Sequence, residues 1–275
     1  MELEISLNKS VEENAGDYFN LAKKARKKRE GAEKALADSR KKLQALLKDE
    51  GKFQEEERKK EELREIKERK KEWYEKFHWF VSSEGFLCIG GKDATSNEII
   101  VKKHAERGDL IFHTDMVGSP FFIVKNGQEA GEKTAGEAAQ ATAVYSKAWK
   151  VGHTTADVFC VKPEQVSKEA RPGEYLAKGS FMIRGQTKYF YPKMEYAIGL
   201  FEEKSGGGAG GEVIAEQVIG GPEAAVKAKT DKYVLVVQGG EKKSSLARKV
   251  RSRLGGGDLD EITKFLPAGG GEIKK

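Results

Sequence analysis

The sequence predicts an α+β protein: a long antiparallel coiled-coil hairpin, followed by a mixed or antiparallel sheet domain with a few packed helices. Three observations predict it. The first 78 residues carry apolar side chains at steps of three and four among dense charge. After His78 the texture changes to short β-branched and aromatic runs bounded by glycine turns. Between those runs lie two segments with helical capping signatures.

The elements follow in order. Val11, Ala15, Tyr18, Ala22, Ala25, Ala32, Leu36, Leu43 and Leu46 form one stripe, so a helix is expected over Val11–Leu47. Gly51 breaks it. A second stripe at Leu63, Ile66, Lys70, Trp73 and Phe77 suggests a returning helix, which makes residues 1–78 a coiled-coil arm. "WFVSSEGFLCIGG" reads as two strands around a Ser-Ser-Glu-Gly turn. In "DATSNEIIVKKHAERG" the spacing predicts a helix with Thr95 as N-cap, Glu98 completing the capping box and Gly108 as the stop. "DLIFHTD" and "SPFFIVKNG" read as strands, the second closed by the Asn126-Gly127 turn signal.

"TAGEAAQATAVYSKAWK" repeats the capping box with Thr134 and Glu137, and its alanines permit close packing on a sheet. "DVFCVKP", "SFMIRGQ" and "AIGLFEE" supply further strands, completing a domain over 79–204. The glycines of 205–211 read as a flexible linker or long loop. In 212–275, "YVLVVQGG" reads as a buried strand. "SSLARKVRSRL" reads as a helix with Leu246, Val250 and Leu254 on one face, and "DLDEITKFLP" as a helix stopped by Pro267. So short an extension is expected to pack on the preceding sheet.

Composition narrows the function. Charged residues are 34% of the chain and hydrophobic ones 38%, and no apolar run reaches the ~18 residues of a membrane span, so a soluble, cytosolic protein is expected. Cys88 and Cys160 lie far apart in apolar runs and read as buried thiols of a reducing compartment. The formal net charge is +6, but residues 79–239 carry net −1 and residues 240–255 net +5, so most of the excess sits near the C-terminus. Nucleic-acid binding by the middle domain must therefore rest on a local patch.

No Walker loop, dinucleotide fingerprint or Cys-x-x-Cys occurs, and "IGGKD" lacks the ending a phosphate loop needs. His113 and Asp115 in "HTD" share one side of an ideal strand, as a general base and its orienting carboxylate would. No third partner is apparent, so neither an enzymatic activity nor a cofactor or metal is expected. Lys162–Lys193 is more informative: it holds seven basic residues against three acidic ones, interleaved with Tyr175, Phe181, Tyr189, Phe190 and Tyr191. Cations beside stackable rings suit unpaired RNA, whereas inward aromatics with lysines protecting strand edges would produce the same composition.

Four segments, "WFVSSEGFLCIGGKDATSNEIIVKK", "DLIFHTDMVGSPFFIVKN", "AVYSKAWK" and "EQVSKEARPGEYLAKGSFMIRG", resemble the RNA-binding domain of the NFACT family. That family includes the nuclear export mediator factor of eukaryotes and fibronectin-binding-protein-like homologues. "ENAGDYFNLAKKARKKREGAEKAL" is similar to the family's coiled coil, and the tail from Glu212 to the archaeal members' C-terminal extension. The resemblance implies ribosome-associated quality control: binding of large subunits (rRNA and ribosomal proteins) with stalled nascent chains, binding of tRNA, and support of C-terminal tailing. The family's N-terminal tRNA-binding domain has no counterpart in the sequence, so the resemblance implies either the C-terminal portion of a longer protein, the favoured reading because the sequence begins at the family's coiled coil, or a naturally short relative.

The candidate RNA contacts are His113, Asp115, Ser119, Lys147, Lys168 and Arg184, carried over from the family's motifs, with Arg171, Lys178 and Lys188 from the basic–aromatic stretch and the neighbouring pair Lys102 and Lys103. Arg248 and Arg251 join them from the cationic C-terminal helix. Trp79, Gly90, Gly91, Asp93, Asn97, Gly118, Pro120 and Gly179 are expected to hold the fold. The alternative is a protein–protein scaffold whose coiled coil recruits a partner while the domain serves as an anchor.

Overall fold

The structure, a computed structural model, describes residues 4–47, 72–169, 178–205 and 213–274. It divides into two units, Met1–Lys70 and Lys71–Lys275. In the first, helix α1 runs over Val11–Leu47, about 55 Å at 1.5 Å per residue. Ser10 and Glu13 form a reciprocal capping box at its start, the Glu13 N–H donating to Ser10 Oγ at 3.1 Å and the Ser10 N–H to Glu13 Oε2 at 2.8 Å. Arg26–Glu30 and Arg29–Glu33 pair along its surface. Its apolar residues Val11, Leu36 and Leu43 are exposed. The expected returning helix at Leu63, Ile66 and Lys70 lies outside the described residues.

Trp73 and Phe77 were assigned to that stripe, and here the structure corrects the sequence reading. Trp73–Lys76 is a single 3₁₀ turn, and Phe77 is buried in the second unit beside Ile89, Ile100 and Ile123. Core packing recruits these residues away from the helical period they share with Leu63 and Ile66.

The second unit is built on two antiparallel sheets. Six strands are ordered β1-β2-β4-β3-β5-β8: β1 (His78–Val81), β2 (Leu87–Gly90), β3 (Leu110–Thr114), β4 (Phe122–Val124), β5 (Val158–Val161) and β8 (Lys188–Phe190). A two-stranded ribbon, β6 (Val166–Ser167) with β7 (Met182–Ile183), lies outside this order. Four more strands are ordered β10-β9-β11-β12: β9 (Glu195–Ser205), β10 (Val213–Gly221), β11 (Tyr233–Glu241) and β12 (Gly271–Ile273). Ser205 pairs with Val213, so the glycine-rich stretch joins two adjacent strands of one sheet. Of β11, read from sequence as buried, only Val236 is fully covered.

One face of the six-stranded sheet, with Cys88, Phe112, Phe122, Val124, Val158 and Cys160, shares a core with the helices and the second sheet. Helix α3 (Glu132–Val144) supplies Ala138, Ala139, Ala141 and Ala143, all fully buried. Helix α4 (Lys147–Val151) follows a break at Tyr145–Ser146, so the single expected helix is two. Tyr145 spans the core, its hydroxyl donating to the Phe265 carbonyl at 2.6 Å and accepting from the Tyr196 hydroxyl at 2.9 Å. Below these lie α5 (Glu223–Lys227), α6 (Lys243–Leu254) and α7 (Leu259–Phe265); Asp258 caps α7 and its last turn precedes Pro267. Leu246, Val250 and Leu254 of α6 are buried along one face. Both cysteines are buried free thiols.

The opposite face carries Ile89, Ile111, Ile123, Phe159 and Val161, covered in part by helix α2 (Ala94–Ile99) and the π-helical turn Ile100–His104. Thr95 is not the N-cap of α2. Asp93 is, accepting from the Ser96 N–H at 2.8 Å, and Ser96 completes the box. The helical run stops at His104, not at Gly108, which instead precedes β3. Likewise Thr134 lies inside α3, where its N–H and hydroxyl both bond Glu84 of the β1–β2 turn at 3.0 and 2.6 Å. A tertiary carboxylate thus does the work that a local capping box would otherwise do.

A candidate nucleic-acid interface

On this second face the β3–β4 loop, the start of α2 and residues 178–183 enclose a groove of about 500 Å³. Its wall is tied together by Asn97. The buried Asn97 amide donates to the Ser119 carbonyl at 3.1 Å, and its Oδ1 accepts from the Phe121 N–H at 3.0 Å. Gly91 permits this: a Cβ there would lie 1.9 Å from Asn97 Oδ1. Gly118, with φ +88°, turns the loop, and the buried Ser119 hydroxyl bonds Thr114 Oγ1 at 2.5 Å and donates to the Met116 carbonyl at 2.8 Å. Asp93 caps α2 at the rim, and the Ser96 backbone N–H holds its carboxyl below the usual range.

The floor is aromatic. Phe121, His113, Phe159 and Tyr189 form a row across neighbouring strands, with centroids 4.0, 5.8 and 6.3 Å apart. It ends on the edge strand β8, where Tyr189 is 43% exposed; Tyr191, just beyond, is 67% exposed. Phe181 closes the near side, edge-on to Phe121 at 5.2 Å. Phe190 turns to the core against Phe112, so the aromatics of this stretch divide between the core and exposed positions.

His113 does not form the base–carboxylate arrangement that "HTD" suggested. β3 ends at Thr114, which puts Asp115 in the exposed turn beyond it. The imidazole instead lies flat on Phe121, with Nε2 3.2 Å from the Ser119 carbonyl, where it must carry the proton and donate. Burial pushes its pKa from 6.5 down to about 4. It is a neutral part of the floor. Among the described residues no group of three or more His, Cys, Asp or Glu could hold a metal ion.

The candidate cations divide. Lys178 lines the groove, and Arg184 is exposed at the end of the same segment. Lys168 is engaged: it pairs with Glu98 at 3.3 Å, donates to the Ser180 carbonyl at 2.9 Å and covers Phe181 at 4.9 Å, which fixes the 180–181 segment. Lys102 pairs with the same Glu98 and Lys188 with Glu132, while Lys103 and Lys147 are exposed outside the groove lining. Arg248 and Arg251 flank a separate open depression on α6. Arg171 and Tyr175 lie outside the described residues.

Among the structural positions, a Cβ at Gly90 would strike the Phe122 ring at 2.3 Å, and Gly179 (φ +80°) backs onto Ala94. Pro120 lines the groove, whereas Trp79 packs edge-on against Phe265. Sequence reasoning missed Lys92, Phe121 and Phe159 as lining residues. The signal for Phe121 was present in "SPFFIV", since adjacent phenylalanines on a strand must face opposite sides.

Residues 76–185 match the family described as the NFACT protein RNA binding domain. Over 213 residues, 76% of this chain, the sequence is 39% identical to the archaeal Rqc2 homolog aRqcH of Methanocaldococcus jannaschii, covering 30% of that protein. It is 39% identical to the ribosome quality control complex subunit NEMF homolog of Drosophila melanogaster, over 72% of this chain and 20% of that protein. Identity to the human ribosome quality control complex subunit NEMF is also 39%, over 65% of this chain and 16% of that one. The chain thus spans less than a third of the length of these relatives. The family match takes in every residue that lines the groove, and the chain belongs to the NFACT family, with that family's RNA-binding domain at residues 76–185.

Proposed function

We propose that this chain is the RNA-binding and ribosome-associated module of a quality-control factor that acts on large subunits with stalled nascent chains. One observation carries the reading. Motif segments distant in sequence (Gly91–Asn97, His113–Pro120 and Lys178–Ser180) converge on a single groove with an aromatic floor, and Lys178 and Arg184 have no ion-pair partner among the described residues. Rings that stack on unpaired bases beside cations that hold phosphates are what tRNA or rRNA loops require. Support of C-terminal tailing belongs to the whole factor, and a cytoplasmic site follows from the same reading. Among the described residues no helix is long and apolar enough to cross a membrane.

Replacing Lys178 and Arg184 together by alanine is expected to weaken RNA binding and lower the slope of log K against log salt by roughly 1.4–1.8, the share of two phosphates. An unchanged affinity and slope in a fluorescence titration would sink the assignment of these residues. The exposed apolar stripe of α1 favours, alongside this, a coiled-coil surface that recruits a protein partner.

A further inference from the structure

A second groove, of about 470 Å³, lies beside the first. Its aromatic walls come from Trp73, Trp79 and Phe265, with Trp79 edge-on to Phe265 at 5.9 Å. Trp73 is 42% exposed and is supported from one side by the His104 ring, stacked at 4.4 Å. Glu72 and Glu261 add carboxylate acceptors of the kind that meet base amino groups.

Two residues, His78 and Lys92, line both grooves. The Lys92 amine is aimed by a bond to the Lys76 carbonyl at 2.8 Å. Around it gather Lys264, from the second groove, and Lys243, the first residue of α6. Neither Lys264 nor Lys243 has a carboxylate partner among the described residues. Burial first, then the neighbouring Lys264, makes the charge on Lys92 costly. His78 lies flat on Tyr145 at 3.7 Å, and its ring nitrogens have no hydrogen-bond partner among the described residues. Burial and the nearby lysines hold it neutral, its pKa pushed down to about 3, so one nitrogen stays free to accept.

We propose that the two grooves are one path for an unpaired RNA strand. It crosses at His78 and Lys92, with a phosphate on Lys92, the adjoining ribose 2′-hydroxyl on His78, and successive bases in the Phe181 groove and the Trp73 groove. Converging lysines, offset only in part by Asp93 beside Lys92, are relieved by an anion, and a neutral imidazole that accepts distinguishes ribose from deoxyribose. The inference rests on the RNA-binding reading and names its substrate class.

The test uses the full chain and a fluorescein-labelled RNA decamer, offered unpaired, as a duplex, and as the DNA of the same sequence. Unpaired RNA is expected to bind tighter than either of the others. Trp73→Ala should weaken it roughly 5- to 150-fold, the range of ~1–3 kcal/mol for one stacked base. Lys92→Ala should lower the salt slope by about 0.7, one phosphate on a single strand, and Lys92→Arg should restore it. On the unaltered chain, 4-thiouridine in the decamer should crosslink to residues of both grooves. If unpaired RNA binds but crosslinks only on the Phe181 side, or neither variant changes it, the path is refuted and the RNA reading stands. Equal affinity for the duplex or the DNA also refutes the path, and a chain that binds no RNA refutes both.

Discussion

At His113 the residue type invites a catalytic reading, and the surroundings remove it. The ring lies flat on Phe121, and burial lowers its pKa from 6.5 to about 4. Above pH 6.5 the group is neutral folded and unfolded. As pH falls from 6.5 towards 4 only the unfolded chain takes up the proton, so the stability that His113 contributes at neutral pH is lost across that window. The loss is on the order of 1–3 kcal/mol. His113→Phe keeps the ring contact, and the Ser119 carbonyl still accepts from Asn97. The stability difference between wild type and variant, from urea unfolding, should therefore shift in the variant's favour by that amount between pH 7 and pH 4.5. Parallel pH profiles would show that the ring is not held neutral. At this scale the family motifs singled out Asn97 and Ser119, but neither a groove nor its lining residues Lys92, Phe121 and Phe159 were legible. A strand period puts His113 and Asp115 on one side, and only the position at which β3 ends separates them.

Among the elements, legibility followed length and locality. Helix α1 was readable to its bounds, because a stripe repeated over 37 residues outweighs any single irregularity. The buried face of α6 was readable for the same reason. Strands of two or three residues such as β6 and β8 exist only through their partners, and no sequence period of that length marks them. Capping was misread twice, from one cause. Thr95 and Thr134 fit a local box, whereas Asp93 reaches Ser96, and Glu84 arrives at Thr134 from fifty residues away. Gly179 shows how one element docks on another. Its φ of +80° and a virtual Cβ 2.7 Å from the Ala94 Cα seat the 178–183 segment on the start of α2. Gly179→Ala should cost ~1–3 kcal/mol and open the groove on that side. Faster amide exchange at residues 178–183 with unchanged exchange in β9–β12 would confirm it, and uniform protection throughout would contradict it.

For the molecule as a whole, every buried hydrophobic residue of the three core clusters lies between Phe77 and Leu266. Both grooves lie within the same unit, so recognition should survive without the arm. The most direct measurement is therefore tRNA binding by residues 72–275 across a salt series, preceded by a thermal melt to establish cooperative folding. A steep fall of affinity with salt, matching that of the intact chain, is the result this account predicts. A cooperatively folded 72–275 that binds no tRNA, while the intact chain does, would contradict it and assign recognition to the arm.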